Sequence, residues 1–262
     1  MANAQTVSPR WALILGASSG FGAESAVALA RAGYDICGVH LDRKAGLAQA
    51  EQIGNTIRGH GRRALFFNVN AADAERRKEV VDALAAERAN VAVLLHSLAF
   101  GTLKPFIADD GLGEQQMDMT LAVMAHSLVY WTQEVVKRGL MGEGGRVFSM
   151  TSSGSTRAIP SYGAISAAKC ALESHTRQLA YELAPRGIAV NALRAGVTDS
   201  PALRKIPGNE RLLEGAALKN PAKRLTTPKD VAGALVALCH PDAGWVTGNV
   251  INVDGGEEIS AG

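Results

Sequence analysis

WALILGASSGFGAESAVALA, residues Trp11 to Ala30, joins three elements in twenty residues. Trp11 to Leu15 is an apolar run of strand length. Gly16 to Gly22 (GASSGFG) is a glycine-rich turn, and from near Ala23 the pattern becomes helical, with a helix predicted over Glu24 to Ala32. Glycines in such a turn permit positive φ and let backbone N–H groups approach an anion. The partial positive charge at the following helix N-terminus then faces that anion. A glycine turn alone is equally a tight connection, but its place after a strand and before a helix points to a dinucleotide pyrophosphate. Gly16, Ser18, Ser19, Gly20, Phe21 and Gly22 are therefore candidate cofactor residues.

Outward from this segment, six more short apolar runs alternate with longer stretches of helical period. Strands are predicted at Asp35 to His40, Arg63 to Val69, Val91 to Ala99, Arg146 to Ser152, Ile188 to Leu193 and Asn249 to Val253. Between them, Lys44 to Arg58, Ala72 to Arg88, Glu114 to Lys137, Ser166 to Leu183 and Lys229 to Cys239 are each long enough to cross a sheet. The alternation predicts an α/β fold of Rossmann type: a doubly wound, seven-stranded parallel sheet with helices on both faces and ligands at the carboxyl ends of the strands. Residues 1–262 read as a single domain. Residues 198–229, with Pro201, Pro207 and Pro221, are longer than one loop needs and read as a substrate lid.

Composition narrows the function classes. A formal charge of +2 spread over 262 residues gives no footprint for nucleic acid or an anionic membrane. Neither a signal peptide nor a membrane span is predicted, the first nine residues being polar, so a soluble cytoplasmic protein is expected. Cys37, Cys170 and Cys239 form no metal-binding or disulfide pattern and are read as buried small apolar residues.

The GxxxGxG spacing of Gly16 to Gly22 resembles the turn of the short-chain dehydrogenases/reductases, although the threonine usual before the first glycine is Leu15. After the second strand, at His40, come Leu41, Asp42, Arg43 and Lys44. A carboxylate at the strand end selects NAD through the ribose, whereas a cation accommodates a 2′-phosphate. Asp42 comes two residues late, and Arg43 is placed to reach a phosphate, so NADPH is expected in preference to NADH, the alternative being that Arg43 merely starts a solvated helix. The resemblance also places Asn68 and Val69 near the adenine, Ser97 and Ala99 of HSLA beside the cofactor, and Gly196, Thr198 and Ser200 at the nicotinamide carboxamide.

The catalytic pattern departs from the family's common one. Lys169 of SAAKCAL fits the ribose-binding lysine and Ser152 the strand serine, but the tyrosine expected four residues before the lysine is Ile165, and Ala122 stands where an asparagine is usual. Tyr162 with Lys169 instead resembles the Tyr-x6-Lys pattern of the enoyl-acyl-carrier-protein reductases, and the stretch Arg157 to Leu203 is similar throughout, closest to the branch called type III. The chemistry offers a reason. A ketone takes hydride and proton on bonded atoms, whereas a 2-enoyl thioester takes hydride at C3 and develops charge on the C1 oxygen two bonds away, so the donor must sit farther out. Seven helical residues rise about 10 Å against about 6 Å for four.

The reading is an NADPH-dependent reductase of 2-enoyl thioesters in fatty acid biosynthesis, with Tyr162 stabilising the enolate and Lys169 binding the ribose. The alternatives are a reductase of 3-oxoacyl thioesters or carbonyls, and a catalytically idle dinucleotide sensor. His96 is read as a hydrogen-bonded strand end rather than a base. Arg204, Lys205, Arg211, Lys219, Lys223, Arg224 and Lys229 in the lid suggest acyl carrier protein as partner, the alternative being a solvated helical lid, and Leu203, Ile206, Leu212, Leu213 and Leu218 suggest a cover for the acyl chain. The resemblance implies a homotetramer packed through the fourth and fifth crossover helices and the last strand.

Overall fold

The structure is a computed structural model and describes residues 9–261. The polar N-terminal residues before Pro9 lie outside the described residues. Seven strands, β1 (Arg10–Leu15), β2 (Asp35–His40), β3 (Ala64–Asn68), β4 (Asn90–His96), β5 (Arg146–Thr151), β6 (Ala189–Ala195) and β7 (Val250–Val253), form one parallel sheet in the order β3-β2-β1-β4-β5-β6-β7. The order reverses between β1 and β4, so the chain leaves these neighbouring strands in opposite directions. A crevice opens at their carboxyl ends, where ligands of such sheets sit.

Helices α1 (Gly20–Arg31), α2 (Lys44–Gly59), α3 (Ala74–Ala86), α4 (Glu114–Leu121), α5 (Ser127–Lys137), α6 (Gly163–Leu183), α7 (Asn209–Lys219) and α8 (Pro228–Leu238) make the connections. Both faces of β1 are covered, which is why its sequence is continuously apolar rather than alternating. Leu13 and Leu15 pack with Leu94, Leu128 and Trp131, while Ala12 and Ile14 pack with Ile36, Phe148 and Leu235 on the other side.

Three predicted boundaries shift. Helix α1 starts at Gly20 rather than near Ala23, because glycine absorbs a φ of +55° at the first position. Helix α6 starts at Gly163 rather than Ser166, which puts Lys169 in its second turn. The predicted helix Glu114 to Lys137 is interrupted by a π-helical segment, Ala122–His126, between α4 and α5. Ser127 Oγ donates to Val123 O at 2.6 Å across this wide turn. Within residues 198–229, read from the sequence as a lid, α7 is a full helix, the form that the sequence left open as an alternative without bounds.

Cys37 and Cys239 are buried, but Cys170 is exposed on α6, its Sγ donating to Ser155 O at 3.0 Å, so the expectation of three buried cysteines fails there. The reason is periodicity: Cys170 directly follows the buried Lys169 and falls on the outer face. No helix among the described residues is long and apolar enough to cross a membrane.

Candidate active site

The glycine turn is held from both sides. Gly16 N and Ala17 N donate to Val39 O at 2.8 and 3.1 Å, and Ser97 N donates to Leu15 O at 2.8 Å. Gly16 has φ +91°, and a Cβ there would lie 2.3 Å from Ser97 O; one at Gly22 would lie 2.1 Å from Gly16 O. Around Gly20 a Cβ would meet nothing within 4 Å. Ser18 is buried, and Ser19, in extended conformation at the N-cap of α1, makes no side-chain cap bond, while Phe21 packs against the core. The first N–H groups of a helix lack intrahelical partners. A turn closed to a Cβ at Gly16 and Gly22, followed by spare donors at a helix N-terminus, fits a dinucleotide pyrophosphate.

At the end of β2, His40 is buried and its Nδ1 lies 2.9 Å from Asp42 Oδ2. Asp42 N donates to Asn68 Oδ1 at 2.8 Å and Asn68 Nδ2 to Asp42 O at 3.1 Å, so the side chain of Asn68 braces this loop. The Asp42 carboxylate is folded back on α2, where a Cβ at Gly46 would lie 2.4 Å from its Oδ1. The Arg43 guanidinium is exposed and makes no hydrogen bond or ion pair with the described residues. Val69 lies just past β3, its N–H donating to His40 O at 2.8 Å, and Ala99 is exposed beyond β4.

The catalytic candidates meet at the carboxyl end of β5. The Lys169 side chain is buried, and Nζ donates to Met150 O at 2.6 Å. Burial lowers its pKa to about 8, opposed by the Glu173 carboxylate one turn on. Tyr162 is the N-cap of α6, behind Ser161, which holds a left-handed φ of +61°. Such a conformation is strained for serine and clusters at functional positions. The Tyr162 ring lies against Gly154, where a Cβ would come within 2.4 Å of Cε1. Burial raises the Tyr162 pKa, offset in part by the Ser152 hydroxyl beside it. Ser152 Oγ is out of reach of solvent and has no hydrogen-bond partner of normal geometry in the protein. A buried, unsatisfied hydroxyl beside a phenol suits an incoming oxygen.

Ile165, in the register usual for the family's tyrosine, is buried instead, with its Cγ1 3.0 Å from where a Cβ on Gly101 would lie. His96 is fully buried and its Nε2 lies 2.8 Å from Ser127 Oγ; burial lowers its pKa to about 3 and Lys169 adds to the effect. It is a neutral strand end, as its sequence suggested, tied to the π-helical segment. Because its folded value lies below the ordinary one, His96 contributes stability that is lost as pH falls below the ordinary histidine range toward 3.

At the far end of the crevice, Gly196 N donates to Val253 O at 3.2 Å, and the buried Thr198 returns its hydroxyl to Gly196 O at 3.0 Å. Ser200 Oγ accepts from Leu203 N at 3.2 Å, capping the first turn of the lid. Sequence reasoning missed Glu257, whose Oε2 accepts from Val197 N at 3.0 Å and packs where a Gly196 Cβ would sit. It also missed Gly154 and Phe106, whose ring fills the space of a Cβ at Gly163. Only the glycines hinted at these contacts, which join distant segments. In the lid, Ile206 is buried, Leu203, Leu212 and Leu213 are partly covered, and Leu218 is 71% exposed. Two of its cations are neutralised: Arg204 forks onto Asp199 at 2.7 and 2.8 Å, and Arg224 onto Asp230 at 2.7 and 3.0 Å.

Fold and site together define a nicotinamide-dependent oxidoreductase of the Rossmann class. Residues 16–258 match the family model described as enoyl-(acyl carrier protein) reductase. The chain belongs to the short-chain dehydrogenase/reductase family, in the group that resembles those reductases. It is 32% identical over 251 residues to the 1-cyclohexenylcarbonyl-CoA reductase of Streptomyces collinus, covering 95% of this chain and 87% of that one. It is also 33% identical over 250 residues to the D-threitol dehydrogenase of Mycolicibacterium smegmatis, covering 95% and 92%. Among solved structures, the enoyl-[acyl-carrier-protein] reductase (NADH) of Aquifex aeolicus superposes with a TM-score of 0.85 at 26% identity, over 97% of this chain and 98% of that one.

Proposed function

We propose that the protein is an enoyl-thioester reductase using NADPH, and the observation that carries this is where the two side chains reach along β5. Lys169 bonds to Met150, whereas Tyr162 lies beside Ser152, two residues on and about 6–7 Å farther out along an extended chain. The apolar Ile165 occupies the nearer register, so no phenol stands close to the hydride-accepting carbon. Held by the Gly16 to Gly22 turn and Lys169, NADPH would supply a hydride for substrate C3, and charge would gather on the C1 oxygen. Tyr162 and Ser152 donate hydrogen bonds to that oxygen, Lys169 holds the ribose and contributes positive charge, and C2 takes a proton from solvent as the C1 carbonyl re-forms, completing the addition of one hydride and one proton. The Streptomyces relative, whose name denotes reduction of an unsaturated thioester, supports the same chemistry.

The test is a paired assay with crotonyl and acetoacetyl thioesters, each with NADPH and with NADH. Turnover of the first is expected; turnover of only the second would overturn the reading. Adding a methyl at Gly154 displaces the Tyr162 ring, so Gly154→Ala is expected to lower kcat for crotonyl thioester at least tenfold while cofactor titration by fluorescence stays unchanged. With Asp42 folded away and Arg43 free, the preference is for NADPH. Arg43→Glu is expected to lower kcat/KM for NADPH relative to NADH by roughly tenfold or more, since a hydrogen bond to a charged group is worth about 1.5–3 kcal/mol.

For partners, the lid supports acyl carrier protein. Over residues 198–230 its seven cations, set against Asp199, Glu210, Glu214 and Asp230, leave a charge of +3. A homotetramer built on α4, α5, α6 and β7 is part of the same proposal, and light scattering tests it.

A further inference from the structure

Behind the ribose lysine lies a second buried charge pair that catalysis as described leaves unused. Glu173 is on the same face of α6 as Lys169, one turn later, and its Oε1 accepts from Thr151 Oγ1 at 2.6 Å and from Arg194 Nη2 at 3.2 Å. Both side chains are largely covered, at 11% and 13% exposure. Arg194, near the end of β6, also donates through Nη2 to Ser155 Oγ at 3.2 Å, while its buried Nε has no partner. One arginine thus ties together the strand leading to Gly196, the turn just past Ser152, and the helix that carries Lys169.

A buried arginine is costly unless its charge is matched. Here one carboxylate answers two cations, so the cluster of Lys169, Glu173 and Arg194 keeps a net charge of +1. The other titratable groups around Lys169 do not alter this balance: His96 on β4 is held neutral, and Tyr162 at the start of α6 is held protonated by burial.

We infer that Glu173 and Arg194 are positioning residues for Lys169: the Glu173 carboxylate, one turn along α6 and fixed by Thr151 and Arg194, favours the ammonium through space, and Arg194 limits how far Glu173 neutralises it. The cluster thereby stays cationic beneath an anionic cofactor. This rests on the proposed ribose-binding role of Lys169, but not on the identity of the reduced substrate.

The test follows the titration of Lys169 itself by carbon NMR of selectively labelled lysine, assigned with Lys169→Met, in the full chain with and without NADP+. Glu173→Gln is expected to lower the Lys169 midpoint by about one unit, because an opposite charge at this range shifts a pKa by about 1–3 units. Arg194→Met, which keeps an apolar stem, is expected to raise it, because the carboxylate then answers one cation. A merely structural pair would move neither midpoint, or move both the same way as the site loosens, and either result overturns the inference. If Glu173→Gln does not fold, the direction of the Arg194→Met shift decides alone. Because no substrate is present, failure of enoyl reduction in the paired assay leaves this result readable.

Discussion

Tyr162→Phe is expected to lower kcat for crotonyl thioester by ~10²–10³-fold, the usual cost of removing one donor from a developing oxyanion. The change removes one oxygen and leaves the ring against Gly154, so α6 and its N-cap keep their geometry. Cofactor affinity is expected to hold, because the phenol lies on the Ser152 side of the site and not with Lys169 at Met150. Ser152 remains as a donor and accounts for the residual rate. Steady-state kinetics with separate cofactor titration checks this. Turnover unchanged in Tyr162→Phe would remove the phenol from the chemistry and with it the explanation for the Tyr-x6-Lys spacing.

Lys169→Met is expected to cost more, about 10³-fold in kcat/KM, with weakened cofactor binding, because in the proposed mechanism one group supplies both the ribose contact and the positive charge. The same lysine predicts a pH dependence. Activity that needs the ammonium falls as pH rises through about 8 in the free enzyme. Stability runs the other way. The folded value lies below that of an unfolded lysine, so from about pH 8 up to the ordinary lysine range the unfolded chain binds more protons and stability rises with pH. Below that window the buried charge is a standing cost. Lys169→Met is therefore expected to lose turnover while its melting temperature at pH 7 holds or rises, a trade of stability for function. A basic limb in the kcat/KM profile that persisted unshifted in Lys169→Met would assign that limb to another group.

Local sequence carried most of the architecture. The inner strands β1, β2, β4 and β5 are buried on both faces and read as short, mainly apolar runs, whereas the edge strands β3 and β7 are only partly covered; the glycine turn marks where the first strand ends. The elements hidden from it depend on contacts between distant segments. The π-helical segment at Ala122–His126 sits where a buried His96 on β4 bonds to Ser127. A helix in the lid segment was left open as an alternative, but the prolines around it obscured the bounds of α7. The sequence named Tyr162, Lys169 and Ser152 from one helix start and one strand end, and the fold brings these three candidates together, whereas Glu257 and Phe106 approach from segments with no motif of their own.

The sequence by itself determined the fold, the glycine turn and the displaced tyrosine, since each depends on the character and spacing of near neighbours along the chain. Only the tertiary structure decided which side chains remain available. Packing turned Asp42 back onto α2 and left Arg43 free, tied Arg204 and Arg224 to carboxylates, buried Lys169 far enough to lower its pKa, and set Glu173 and Arg194 beneath it. Those outcomes depend on burial and on charges brought together across the fold, which no spacing along the chain records.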